Sequence, residues 1–167
     1  NLGWKVILIK YGRRLEAAFK EPGGERLRQW IDDCPNQLYS ALVFQGGAAF
    51  RKQMESDLAG NAMALLIVRR HNDADLGHLM TNLGGHDIET ILDVFASAPT
   101  GRPVCFIAYT IKGHGLPLAG HKDNHSGLMT RAQMQEFRSL MAINQGEEWE
   151  PYAGLGQPAS QVKDFLD

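Results

Sequence analysis

Only two of the 167 residues are cysteine, Cys34 and Cys105, and both sit in apolar surroundings. So few argue against a disulfide scaffold and fit a reducing, cytoplasmic compartment. An excess of charge of one sign is also lacking, since 17 Lys and Arg face 19 Asp and Glu for a net charge of −2. That balance gives no support for nucleic-acid binding, which leaves a basic footprint. No stretch approaches the roughly 18 consecutive apolar residues of a membrane span, and no basic-then-apolar leader is visible. There is no internal repeat and no low-complexity tract. At 44% hydrophobic and 22% charged residues, the chain has the apolar content that disordered chains lack and is long enough for a real core. With Asn1 in first position and strand-like sequence starting almost at once, it reads as a piece of something longer.

Two continuous apolar runs predict strands. Lys5–Lys10 (Lys-Val-Ile-Leu-Ile-Lys) ends at Tyr11-Gly12, and Pro103–Ile111 ends at Lys112-Gly113. Unbroken β-branched runs suit strands covered on both faces, as in a parallel sheet. Between them the period becomes helical. Leu27, Trp30, Ile31 and Cys34 stop at Pro35, and Leu76, Leu79, Met80 and Leu83 follow a cap at Asn72 or Asp73, with Gly84 just past the end. Ile88, Ile91, Leu92 and Phe95 follow a cap at Asp87 and end before Pro99. Thr130-Arg-Ala-Gln133 matches a capping box opening a helix expected to bury Met134, Phe137, Leu140 and Met141. These elements predict an α/β fold with right-handed crossovers. Two strands make only part of a doubly wound parallel sheet, so further strands are expected from elsewhere in a longer chain. From about Asn144 the text turns acidic and rich in Gly and Pro. Residues 1–143 therefore read as one partial domain, and 144–167 as a linker with a short helix start near Gln161–Leu166.

The chemistry concentrates between Thr110 and Gly127, leaving the carboxyl end of the second strand, where ligands of α/β sheets bind. Gly113, Gly115, Gly120 and Gly127 permit positive φ and close backbone approach. Lys112, Lys122, His114, His121, Asp123 and His125 crowd the same stretch. Such a loop is a receptor for a phosphate or diphosphate, a mobile lid carrying a proton donor, or simply a surface connection. The alternation of His121, Asp123 and His125 lacks the frame of a metal site. In Asn82-Leu83-Gly84-Gly85-His86-Asp87, Gly-Gly ends one helix and Asp87 caps the next. His86 is left as a structural hydrogen-bonding histidine or one facing a cofactor pocket. Asp32-Asp33, Glu147-Glu148 and Arg69-Arg70 read as solvated charges.

Gly3-Trp4-Lys5-Val6-Ile7, Gly46-Gly47-Ala48, Asn82-Leu83-Gly84-Gly85-His86-Asp87 and Thr110-Ile111-Lys112-Gly113-His114-Gly115, in that order, resemble the E1 component of the pyruvate dehydrogenase complex. The type is the single-chain homodimeric bacterial one of the transketolase superfamily, and the likeness runs from Gly3 to about Ile143. It implies a thiamine-diphosphate-binding domain, of which this chain is the C-terminal part. It implies thiamine diphosphate and Mg²⁺ as cofactors, a small 2-oxo acid as substrate, and the lipoyl domain of an E2 acyltransferase and a second E1 subunit as partners. Neither nucleic acid nor a membrane is implied. Lys112 matches the lysine of the family's Thr-Ile-Lys-Gly loop in the active-site pocket, and His125 the histidine of its mobile active-site loop. Both are expected to be catalytic, and with Gly113 to touch the cofactor, while His86 would hold the helix start. The text from Leu116 to Gly127 departs from the usual pyruvate enzyme, and His114 stands where an aromatic is common. The acid is thus open between pyruvate and 2-oxobutyrate or a related compound. No Gly-Asp-Gly metal signature occurs, so the metal ligands are expected upstream and none within this chain. Transketolase-type ketol transfer is the nearest enzymatic rival, with Lys112 against it. A non-catalytic phosphate-binding module is the rival from another class.

Overall fold

The computed structural model describes residues 3–167. Two compact units form, one from residues 3–114 with Leu118–His125, the other from Gly115–Pro117 with Ser126–Asp167. In the larger unit, β1 (Lys5–Ile9) is followed by α1 (Arg13–Phe19), α2 (Gly24–Asp33), α3 (Asn36–Gln45), α4 (Gly47–Asp57), α5 (Ala62–Arg69) and α6 (Asp73–Met80). A 3₁₀ turn (Gly84–His86), α7 (Ile88–Ala96) and β2 (Val104–Ala108) complete it. The strands pair in parallel, Lys5 opposite Val104 through Ile9 opposite Ala108, as a two-stranded sheet. The α/β class and the parallel pairing follow the sequence. The dense helical crossing between the strands was only half legible, because α1, α3, α4 and α5 lack a clean amphipathic period.

Helices α4 and α6 build the core. Phe50, Met54, Leu76 and Met80 are fully buried between them, with Leu15 of α1 and Leu27 of α2 alongside. The two helices meet where Gly47 lies on Gly77; a Cβ on Gly47 would stand 1.6 Å from the Asp73 carbonyl oxygen. Only glycine permits that approach, so Gly46-Gly47 is first a packing device. Gly46, at φ 86°, also ends α3.

Three expectations are corrected by the fold. The strands are not covered on both faces: Val6 is 50% exposed, Leu8 63% and Ile107 45%. A two-stranded sheet has too few neighbours to cover side chains that point alternately to opposite faces. Helix α6 ends at Met80 rather than near Gly84, because Leu83 leaves it to bridge Tyr11. The helix opened by Thr130 forms as expected, with its capping box intact (α8, Arg131–Leu140), but it buries nothing. Met134, Leu140 and Met141 are about half exposed or more. In this smaller unit α8 is followed by α9 (Ala159–Leu166), and the Arg138–Glu148 ion pair (2.9 Å) ties α8 to the turns after it.

Candidate active site

Both strands end at the same level, and the segment after α6 is stitched across those ends. Gly84 N–H donates to the Lys10 carbonyl (3.0 Å), just past β1, and Gly85 N–H to the Tyr109 carbonyl (2.9 Å), just past β2. A Cβ on Gly84 would lie 2.6 Å from the Ile9 carbonyl oxygen, and one on Gly85 2.7 Å from that of Tyr109. The Gly-Gly pair thus serves close approach to the strand ends and does not terminate a helix, which is a second correction to its reading. Asp87 caps α7 as expected, accepting from Thr90 N–H (3.0 Å), and also accepts from Arg13 N–H (2.9 Å). These bonds hold its carboxyl below the usual range against the opposing effect of burial.

His86 is structural, though it does not hold the helix start. Its Nε2 accepts from Ile111 N–H at 2.7 Å, the residue before Lys112. The ring stacks on His114, with centroids 3.7 Å apart and planes 13° from parallel. Burial, then the neighbouring His114, push its pKa down and keep the ring neutral as the acceptor this bond requires. The histidine therefore fixes where the loop carrying Lys112 leaves β2.

Beyond the strand ends lies a cleft of about 820 Å³, lined by residues after β1, after β2, from the end of α2 through α3, and from the 120–124 loop. Lys112 lines it, and its ammonium has no hydrogen-bond or ion-pair partner among the described residues. Its backbone is held instead: the Lys112 carbonyl accepts from Asn124 Nδ2 (2.8 Å) and Gly120 N–H (3.3 Å). Gly113 follows at φ 73°, a left-handed conformation that a side chain would strain. His125 is exposed and does not line the cleft; of the loop histidines His121 does.

The cleft also holds groups that the sequence reading left among solvated charges or did not single out. Asp32 accepts from Lys10 Nζ and from Tyr11 Oη (2.6 Å). Burial acts to raise its pKa, yet these two bonds hold it low, while burial and the same bond push the Tyr11 hydroxyl up. Tyr39, its pKa raised by burial, donates to the Met80 carbonyl and so pins α3 to the end of α6. Lys10 and Tyr109 could have been found from one signal, their place near the carboxyl ends of the two apolar runs that form the strands. Asp32 carried no such mark, because its importance comes from where α2 packs. Cys34, half-buried at the rim, has its thiol pKa raised by burial, unlike a reactive cysteine.

The cleft's residues suit an anion and do not suit a metal. Lys112 is an uncommitted cation beside the neutral polar groups of Asn36, Gln37, Ser40 and Gln45. Asp32 is the one acid in the lining and is already satisfied. Among the described residues no three His, Cys, Asp or Glu side chains gather as a metal site. None of the described helices is long and apolar enough to cross a membrane.

Comparison with known proteins places the chain beside one kind of enzyme subunit, the pyruvate dehydrogenase E1 component. It is 29% identical over 124 residues to the E1 component of Cupriavidus necator. To those of Buchnera aphidicola subsp. Schizaphis graminum and subsp. Acyrthosiphon pisum it is 26% and 25% identical over the same length. Each match takes in 73% of this chain and 13% of the relative. The resemblance read from the motifs is thus found again over most of the chain, which spans about 13% of the length of the curated relatives it matches. No family model matches.

Proposed function

We propose that this chain forms one wall of the active site of a thiamine-diphosphate-dependent 2-oxo acid dehydrogenase E1, as part of its cofactor-binding domain. The observation that carries the reading is Lys112, an unpaired cation in a cleft at the carboxyl ends of two parallel strands. The similarity to pyruvate dehydrogenase E1 components supports it. Thiamine diphosphate, when bound, supplies the electron sink for decarboxylating the acid. Lys112, exposed on the cleft wall, places positive charge against anionic cofactor or substrate oxygens. The Gly113 backbone, at a positive φ that suits glycine, approaches the same group. His125, on the exposed end of the loop, closes over the bound acid to donate a hydrogen bond or proton. The ligands of Mg²⁺ are assigned to residues outside this chain, since the cleft's one acid, Asp32, is already bonded to Lys10 and Tyr11.

The finer architecture follows the same reading. The half-exposed Val6, Leu8 and Ile107 belong to a doubly wound sheet completed by further strands, and residues 144–167 form a linker after the domain. The acyl group passes to an E2 lipoyl domain, and the working unit is a cytoplasmic homodimer. The longer protein containing this chain, supplied with thiamine diphosphate and Mg²⁺, is expected to decarboxylate pyruvate or 2-oxobutyrate with reduction of an electron-accepting dye. Turnover of ketose phosphates alone would replace this reading with ketol transfer. Binding of phosphate without turnover would leave an anion-binding module.

A further inference from the structure

Three histidines lie in the loop after β2, and the resemblance singles out His125. The structure singles out another. Gly120 is buried against α3, where a Cβ would lie 2.5 Å from the Ser40 carbonyl oxygen and 3.1 Å from the Val43 side chain. That close seat turns the next residue, His121, into the cleft wall. Its ring stands edge-on to Phe44 of α3, centroids 4.6 Å apart. Its Nδ1 accepts from the Asp123 backbone N–H at 3.1 Å. An imidazole whose Nδ1 accepts carries its proton on Nε2, so the neutral ring keeps one donor unspent. The Asp123 carboxylate, 3.9 Å from Nδ1, is occupied by Lys122 at 2.6 Å. Asn124, the residue after Asp123, clasps the Lys112 carbonyl. One short loop therefore fixes both an unpaired ammonium and an imidazole donor on the same cleft.

We propose that His121 is a second anion-contacting residue of this cleft, donating through Nε2–H to the oxygen of a diphosphate or a 2-oxo acid carboxylate that Lys112 also holds. The inference rests on the cleft being the anion site of the proposed function. It assigns to His121 a contact made before any loop closure, and it leaves the role of His125 untouched.

The test is a titration of the longer protein containing this chain with inorganic pyrophosphate and, separately, with 2-oxobutyrate, following the histidine ring nitrogens by NMR. Either anion should move the His121 Nε2 resonance while Nδ1 keeps the shift of an acceptor, and which anion does so distinguishes the two sources. His121→Phe, which keeps the packing on Phe44 and removes the donor, should weaken binding about tenfold, the loss of roughly one charge-assisted hydrogen bond. His121→Gln should recover part of it, and His78→Gln, at an exposed position of α6, should leave it unchanged. A His121 resonance that neither anion moves, or a His121→Phe chain that binds as tightly as wild type, overturns the proposal. Pyrophosphate binding through His121 in a protein that decarboxylates no 2-oxo acid would remove the E1 reading and leave this one standing.

Discussion

The helical and sheet parts of the larger unit are made of similarly apolar sequence but end up differently. On α4 and α6 themselves every large apolar side chain is buried, and Phe50, Met54, Leu58 and Met80 have no exposure at all. On the sheet and the helix beside it, Val6, Leu8, Ile88, Leu92 and Phe95 are half exposed or more, although Phe95 still meets Phe106 at 4.6 Å. Hydrophobic sequence thus records an intention to be covered, and whether it is covered depends on how many elements are at hand. The helical crossing contains enough of them, whereas the sheet needs more than two strands.

That contrast can be broken by substitution. Phe50→Ala should cost about 3–5 kcal/mol, the range for an aromatic removed from a closed core, read from chemical denaturation. A loss under about 1 kcal/mol would mean that the helical core is not the stable part. Acid should act next, at the seam between the regions. The pKa of His86 is lowered on folding from 6.5, so its stabilising contribution is present above that pH and is lost as pH falls below it. Wild type should therefore lose stability progressively below about pH 6.5. His86→Gln should flatten this trend and loosen amide protection at Ile111, whereas an unchanged acid profile would break the link between ring and loop. Least affected should be Leu8→Thr, within about 0.5 kcal/mol of wild type as for exposed sites. A cost of 2 kcal/mol or more would show the sheet covered in solution.

Sequence legibility followed the same division. The strands, the caps at Asn72, Asp87 and Thr130, and the loop carrying Lys112 were all readable, because each depends on neighbours along the chain. The Asp32–Lys10–Tyr11 cluster, the seating of Gly84 and Gly85 on the strand ends, and the His86 bond to Ile111 were not. Each depends on which distant segments meet, and local pattern carries no record of that. Even Asn82-Leu83-Gly84-Gly85-His86-Asp87 was read mainly for helix capping, although Gly84, Gly85 and His86 bracket the strand ends and the loop carrying Lys112.

Lys112 is where the functional account is most exposed. In the longer protein supplied with thiamine diphosphate and Mg²⁺, Lys112→Met keeps the aliphatic stem and removes the charge. The kcat/KM for pyruvate or 2-oxobutyrate decarboxylation should fall by about a hundredfold, as for loss of one preorganised electrostatic contact, with the fold unchanged by circular dichroism. A variant as active as wild type would contradict the placing of this cleft at the reacting acid.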